Sequence, residues 1–495
     1  MVKQHIKKDY LASELSPFEP HPMGWSQLLA WIYPNRYEIG MANIGYQWLY
    51  GTLRSKKHIL TERFFNKTGE SRSLESDRPL REFPVIAVSM PYETDILNLI
   101  EMLVSSGIEP IAKKRGDTPI IIGGGDALTL NPFPFAAFFD IILLGDGDNW
   151  AERFPEIMRD SPPGLATKAE ILEMAKRING VWAPALDDGE EIVRAPATRT
   201  APAYTPILTS FGHFRNMFLV EGQRGCPFNC GFCASSWLDM PVYNYSTEGI
   251  LRTYDDFGLG AKRVGLVGSA IAEHPELESI LRGFSDRGVS IHPSSIRLDR
   301  ISTIALELLA ETKSKSVTFA PETASERLAQ SIGKWIPREE IVAQANALTE
   351  MGFAEMKLYW IIGLPGENEA DIAVLADTIV AIASSSNLKV TCSINSFIPK
   401  PHSRFQFEPM LSHSELTRRF TLLKSRVKGI RNLKLELNYS RRSRLSAIIS
   451  IGGNSIANAI LDMTDRGIKH SLSEIGINLD DEIRSADNPP WDRIS

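Results

Sequence analysis

Three of the four cysteines in this 495-residue chain fall within the short stretch GQRGCPFNCGFC, which ends at Cys233. Cys226, Cys230 and Cys233 are spaced C-x3-C-x2-C, and thiolates are soft ligands that suit zinc or an iron-sulfur cluster. A structural zinc site takes four closed ligands, and the fourth would have to be Cys392, His292 or His402. Three thiolates with no fourth suit instead a four-iron cluster with one iron left open to a ligand that is not protein. An open iron implies chemistry at that iron. Cys392 stands alone in an apolar run and reads as buried packing, with a thiyl-radical or substrate-binding role as the alternative. Four cysteines do not make the disulfide framework of a small secreted protein, and a reducing compartment keeps such thiols free.

The cysteines follow directly on a strand candidate, NMFLVEGQ (216–223), which opens an α/β array. Further strand candidates are KRVGLVGS (262–269), VSIHPSSIR (289–297), SVTFAPET (316–323), EMKLYWIIGLPGE (355–367) and KVTCSINSFIPKP (389–401). Segments of helical periodicity, such as PELESILRGFSDRG and EADIAVLADTIVAIASS, lie between them. A complete eight-unit barrel takes roughly 250 residues, so six βα units fit a barrel left open on one side. The cysteine loop then sits at the C-terminal ends of the strands, where barrel-type folds place chemistry.

Ahead of this array, β-rich runs at PVIAVSM (84–90), TPIIIGGG (118–125) and FFDIILLGDGD (138–148), with the helical pattern TDILNLIEMLVSSG after the first, predict a small doubly wound α/β domain. Gly123 to Gly125, Gly145 and Gly147 lie just past the strand ends, where open sheets bind ligands; tight turns are the alternative reading. The organisation expected is an α/β chain: a Rossmann-like domain over 1–160, a linker with an extended arm over 161–209, a partial (β/α)6 barrel over 210–410, and a mostly helical tail over 411–495 able to cover the barrel's open side. Net charge is −6 and the pI near 5.9, with Lys and Arg scattered, so nothing indicates a nucleic-acid partner. The polar start MVKQHIKKDYLASELSPFEP and the lack of a long apolar run predict no membrane association and a cytoplasmic location.

With Phe232 before its last cysteine, the C-x3-C-x2-C motif resembles that of the radical SAM superfamily, which uses a six-unit partial barrel. The resemblance implies that Cys226, Cys230 and Cys233 hold a [4Fe-4S] cluster whose fourth iron is chelated by S-adenosylmethionine (SAM). It further implies reductive cleavage of SAM to methionine and a 5′-deoxyadenosyl radical that abstracts hydrogen from a substrate the sequence does not name. The electron would come from a donor such as flavodoxin or ferredoxin. Carried over by position, Gly268 and Ser269 in VGSA match the motif that receives the methionine amino group. Ser294, Ser295 and Arg297 in SSIRLD are aimed at the same edge, where an arginine commonly meets the methionine carboxylate. Glu322 in APETASERL is a contact for cofactor or substrate, unless it forms a structural ion pair with Arg297. Gly363 and Gly366 in GLPGE resemble the adenine-side loop, with Glu367 near a helix start. Lys400 and His402 in SFIPKPHSRF either face substrate or sit as solvated charges on a proline-fixed loop.

The first domain, with YPNRYEIGMANIGYQWLYG and its glycine loops, resembles the cobalamin-binding-like domain of one branch of that superfamily. This implies cobalamin as a possible further cofactor, and methyl transfer with it. The Asp-x-His-x-x-Gly motif of cobalt-ligating relatives is absent; His58 sits in SKKHIL without that context. No cysteine precedes Cys226, which argues against methylthiotransferase chemistry, and no cysteine-rich extension suggests a peptide maturase. The alternative function class is a non-catalytic Fe-S redox sensor or scaffold.

Overall fold

A computed structural model describes residues 9–19, 27–66, 71–312 and 314–495; part of the polar N-terminal stretch lies outside the described residues. The first domain is a six-stranded sheet in the order Ile59–Phe65, Gln27–Tyr33, Val85–Ser89, Ile120–Gly124, Ile141–Leu143, Val181–Trp182. All neighbours are parallel except the last pair. Three of these strands follow the apolar runs in the sequence. Ile59–Phe65 was hidden by its charged centre, yet every residue in it is buried. Arg63 donates to Glu14 and Glu75, and Glu62 accepts from Ser76, so the charges are carried inward with partners. Val181–Trp182 lies inside the segment read as linker and adds an antiparallel edge to this sheet. Beyond it the chain does run as an extended arm, bridging Ala195 to Gly145 and Tyr204 to Val220.

Alternation along each strand splits the sheet into two faces. Leu29, Trp31, Tyr33, Val85, Ala87, Ile120 and Ile122 form one core with the helix Ile44–Arg54. Ala30, Ile32, Ile86, Val88 and Ile121 join a second core that continues without a break into the barrel and the tail. Helix Asp95–Ser105 buries Ile96, Leu99, Ile100 and Leu103 at the spacing its sequence announces.

The barrel begins with parallel strands Phe218–Glu221, Arg263–Val267 and Ser290–Pro293. It continues with Ser316–Glu322, Glu355–Ile362, Lys389–Ser396 and Leu433–Asn438. A single parallel bridge, Ile296 to Phe319, joins the two sheets into one arc. The six expected strands are present, and the seventh lies in the tail: LKLELN alternates leucines with Lys434, Glu436 and Asn438 and pairs along Lys389–Ser396. The rest of the tail is mostly helical. Its helix Ile456–Arg466 packs on Asp95–Ser105 of the first domain, so the tail extends the sheet and ties the two domains together. No helix among the described residues is long and apolar enough to cross a membrane.

Candidate functional site

The cysteine loop leaves the first barrel strand through two close approaches that only glycine permits. Gly225 has φ +78°, and a Cβ there would lie 2.4 Å from the Asp239 carbonyl oxygen. At Gly231 a Cβ would lie 2.6 Å from the Phe405 ring. Gly231 donates its N–H to Ile332 O and accepts from the Phe405 N–H, both at 2.8 Å. The loop is thus stitched between the exits of the fourth and sixth strands. Phe232 packs into the apolar cluster of Ile332, Leu364, Phe397 and Phe405, which anchors the segment just before Cys233.

Cys230 is buried, Cys226 and Cys233 are half-buried, and all three are free thiols. Burial pushes the Cys226 and Cys230 thiols up, while Arg297 and Lys334 nearby pull them down. Those two cations favour the charged form that a metal ligand needs. The donor set therefore fits an iron-sulfur cluster. Among the described residues the zinc reading finds no fourth ligand. Cys392 is fully buried within Lys389–Ser396, with its thiol pushed up to about 12 by burial. His292 is engaged with Ser290 and Arg263. His402 lies flat on Trp237, with ring centroids 3.4 Å apart, and donates to Leu130 O. Among the described residues, no group of three or more His, Cys, Asp or Glu side chains is arranged to hold a single metal ion.

Around this loop the strand ends supply a polar rim. Arg297 stacks over Phe228 at 4.0 Å and gives Nε and Nη2 to Asp299, while its Nη1 is buried without a partner. An orphaned guanidinium donor is costly unless a ligand meets it, so the residue fits the carboxylate of an amino-acid cofactor. Glu322, at φ +70°, accepts from Lys334 Nζ at 2.9 Å. Arg297 and Glu322 therefore have separate partners, and the ion pair between them is not formed. Ser294 donates to Gly268 O at 2.7 Å; Gly268 makes room for Gln223, while Ser269 and Ser295 are exposed. Gly363 (φ +89°) donates to Glu367, which Arg419 also holds; burial pushes the Glu367 carboxyl up to about 7. Glu367 turns back to fix the GLPGE turn, and the helix that follows is capped by Asn368 instead. Gly366, at φ +74°, completes the turn.

A cavity of about 370 Å3 opens at this rim, lined by Phe232, Ser295, Ala320, Glu322, Tyr359, Ile361, Asn395 and Ser396 among others. Gly268, Ser269, Arg297, Gly363 and Gly366 do not line it. Tyr359 and Asn395 were missed in the sequence, although EMKLYWII alternates so that Lys357, Tyr359 and Ile361 face away from the packed helices. Lys334 was missed too; its signal is a lysine placed straight after the helix-ending Gly333. Replacing Arg297 with Leu removes the free donor, and a hydrogen bond to a charged group contributes about 1.5–3 kcal/mol. The expected result is a SAM dissociation constant raised at least tenfold, read by equilibrium dialysis.

Lys400 and His402 of SFIPKPHSRF are not free solvated groups. Lys400 forms an ion pair with Glu93 of the first domain, and Glu93 also accepts from Ser446 of the tail. The glycine loops of the first sheet behave as close-approach turns. A Cβ on Gly125 would lie 2.8 Å from Met90 O, and one on Gly145 would lie 2.3 Å from Ala195 O. They border a second cavity, about 540 Å3, between this sheet edge and the chain on either side of the cysteine loop, and no histidine lines it.

Family models match this architecture over both parts: residues 45–184 fit the one described as radical SAM proteins, N-terminal, and residues 220–379 that of the radical SAM superfamily. The chain belongs to the radical SAM superfamily. An uncharacterized protein of Methanocaldococcus jannaschii is 26% identical over 388 residues, spanning 77% of this chain and 79% of its own length. An uncharacterized methyltransferase of Pyrococcus horikoshii is 24% identical over 293 residues, covering 54% of this chain and 58% of that protein. The radical SAM methyltransferase TsrM of Kitasatospora setae, solved with cobalamin and a [4Fe-4S] cluster, shares the fold with a TM-score of 0.56 at 12% identity, over 79% of this chain and 75% of its own. OxsB, a cobalamin-dependent SAM radical enzyme solved with aqua-cobalamin, gives 0.51 at 14% identity over 72% and 52%. The cysteine loop and most of the rim lie within the span that the superfamily model matches.

Proposed function

We propose that this radical SAM enzyme cleaves SAM reductively and uses the resulting radical to take a hydrogen atom from an organic substrate. The observation that carries the reading is the three-thiol loop beside a rim holding a buried, unpartnered Arg297 Nη1. With a cluster bound through Cys226, Cys230 and Cys233, one electron from a flavodoxin- or ferredoxin-type donor breaks the SAM sulfur–C5′ bond, giving methionine and a 5′-deoxyadenosyl radical. The protein's own part is positional. Arg297 meets the methionine carboxylate, the Gly268–Ser269 turn and Ser294 border its amino group, and the turn at Gly363 and Gly366 takes the adenine side. Phe232 and Ile361 keep the rim cavity partly dry, and Glu322 with Lys334 offers a carboxylate and an ammonium at its wall.

Methyl transfer with cobalamin is the finer form of this reading. It is supported by fold relatives solved with cobalamin and by a doubly wound sheet whose carboxyl edge faces the cysteine loop. Retention of hydroxocobalamin through gel filtration, followed by its visible absorbance, tests it.

The main reading is tested on anaerobically reconstituted protein by iron and sulfide analysis and by chromatography after adding SAM and dithionite. 5′-Deoxyadenosine is expected only with both present. A cluster that forms while SAM stays intact under a stronger reductant would sink the reading in favour of a sensor or scaffold.

A further inference from the structure

The 540 Å3 cavity at the sheet edge has an unbalanced charge. Its lining includes Asp126, Asp146, Asp148 and Asp239, against Arg194, Arg199 and Arg224. The arginines are already occupied. Arg199 pairs with Asp148 at 2.8 Å and with Asp146 at 3.4 Å. Arg224 pairs with Asp146 and with Glu221 just outside the lining. Arg194 lies over the Trp237 ring at 3.6 Å and donates to the carbonyls of Trp237, Leu238 and Ser495. The side-chain carboxylates of Asp126 and Asp239 have no hydrogen-bond or ion-pair partner among the described residues. Asp126 is exposed to this cavity; the loss of water around its carboxyl and then the Asp239 carboxylate push it up to about 6. Asp239 is raised by burial as well, with Arg224 and Arg194 pulling down and Glu221 and Asp146 pushing up. Two carboxylates that line one space without a hydrogen bond or ion pair of their own, beside arginines engaged elsewhere, favour a cation between them.

Asn43, Ser89 and Thr129 also line it, and an apolar wall is made by Trp31, Tyr46, Leu49, Ile122, Leu143 and Trp150. The volume falls in the range of small-molecule sites, and among the described residues no third metal-ligating side chain joins the two aspartates. These features suit an organic ion better than a bare metal ion. At the edge of the cavity, Val193 and Met240 are 63% and 49% exposed, which marks the way in.

We propose that this cavity binds an organic cation, with a protonated amine held between Asp126 and Asp239 and an apolar body laid against the tryptophan wall. Arg224 and Asp239 lie immediately before and shortly after the cysteine loop, and Asp239 O is the group that Gly225 must pass. The occupant therefore touches the segment that sets the loop. Its role as the enzyme's substrate rests on the proposed SAM chemistry, whereas the binding itself does not. A corrin would compete for the same edge.

The test uses reconstituted full-length protein without reductant, with 2-phenylethylamine as probe and 2-phenylethanol and phenylacetate as neutral and anionic isosteres, in calorimetric titrations. The amine is expected to bind saturably and at least tenfold tighter than either isostere. Asp126→Asn and Asp239→Asn should each weaken it at least tenfold, with a melting temperature no lower than that of the parent. Equal binding of alcohol and amine overturns the proposal. So does amine binding that both variants leave unchanged, or hydroxocobalamin binding that a saturating amine does not weaken. Because no SAM cleavage is involved, absence of 5′-deoxyadenosine with amine binding intact would count against the proposed function alone.

Discussion

The Cys230→Ala protein is expected to reconstitute without a four-iron centre and to release no 5′-deoxyadenosine. Cys230 is the buried member of the three, in the loop fixed on one side by the Gly231 contacts to Ile332 and Phe405. No other thiol can take its place. Cys392 is fully buried in the sixth barrel strand and paired through its backbone on both sides. Two thiolates cannot hold the cluster that three are spaced for, so the loss should be complete rather than graded. Cys392→Ala is the matched control and should keep iron, sulfide and product. If Cys392→Ala lost iron while Cys230→Ala kept it, the assignment of the ligand loop would be wrong.

What the sequence made legible, and what it hid, divides along a physical line. The cysteine loop was readable because its chemistry is local: three thiols, two glycines at close approaches and an aromatic anchor occupy neighbouring positions. Six barrel strands were readable because their apolar runs alternate with helices of regular period. Ile59–Phe65 was not, since a buried Arg63 between Glu14 and Glu75 looks, in one dimension, like a surface charge. Leu433–Asn438 carries Lys434, Glu436 and Asn438 on one side of an edge strand, so its pattern was lost among the tail's helices. The same blindness applies to the site. Arg297 and Glu322 were both identified, and the partner of Arg297, Asp299, lies two residues on in the same motif, but the partner of Glu322, Lys334, depends on how the chain folds back past the strand end. The proline-rich loop after the sixth strand reads as solvated until Glu93, from another domain, is seen to face Lys400.

That dependence on distant partners gives the second large effect, at Lys334. Gly333, at φ +73°, ends the helix Glu326–Ile332, and Lys334 donates its N–H back to Ala329 O. The turn drives the lysine inward to Glu322, where both residues are buried. Replacing Lys334 with Met leaves an uncompensated carboxylate, and breaking a buried pair in this way costs about 3–5 kcal/mol. The sign of the pH dependence follows from Glu322, whose carboxyl burial holds above the ordinary range while Lys334 draws it down. Without Lys334 it rises further. A carboxyl raised in the folded state is harmless while protonated and destabilising as the pH climbs from its unfolded value through its folded one. The gap in melting temperature between parent and Lys334→Met should therefore be wide at pH 8 and narrow toward pH 5. Adding Glu322→Gln to Lys334→Met should recover most of the loss at pH 8, because the amide leaves no charge to bury. A gap of the same size at both pH values, unmoved by the second substitution, would show that the cost lies in helix capping at Gly333 and not in the ion pair beneath the rim.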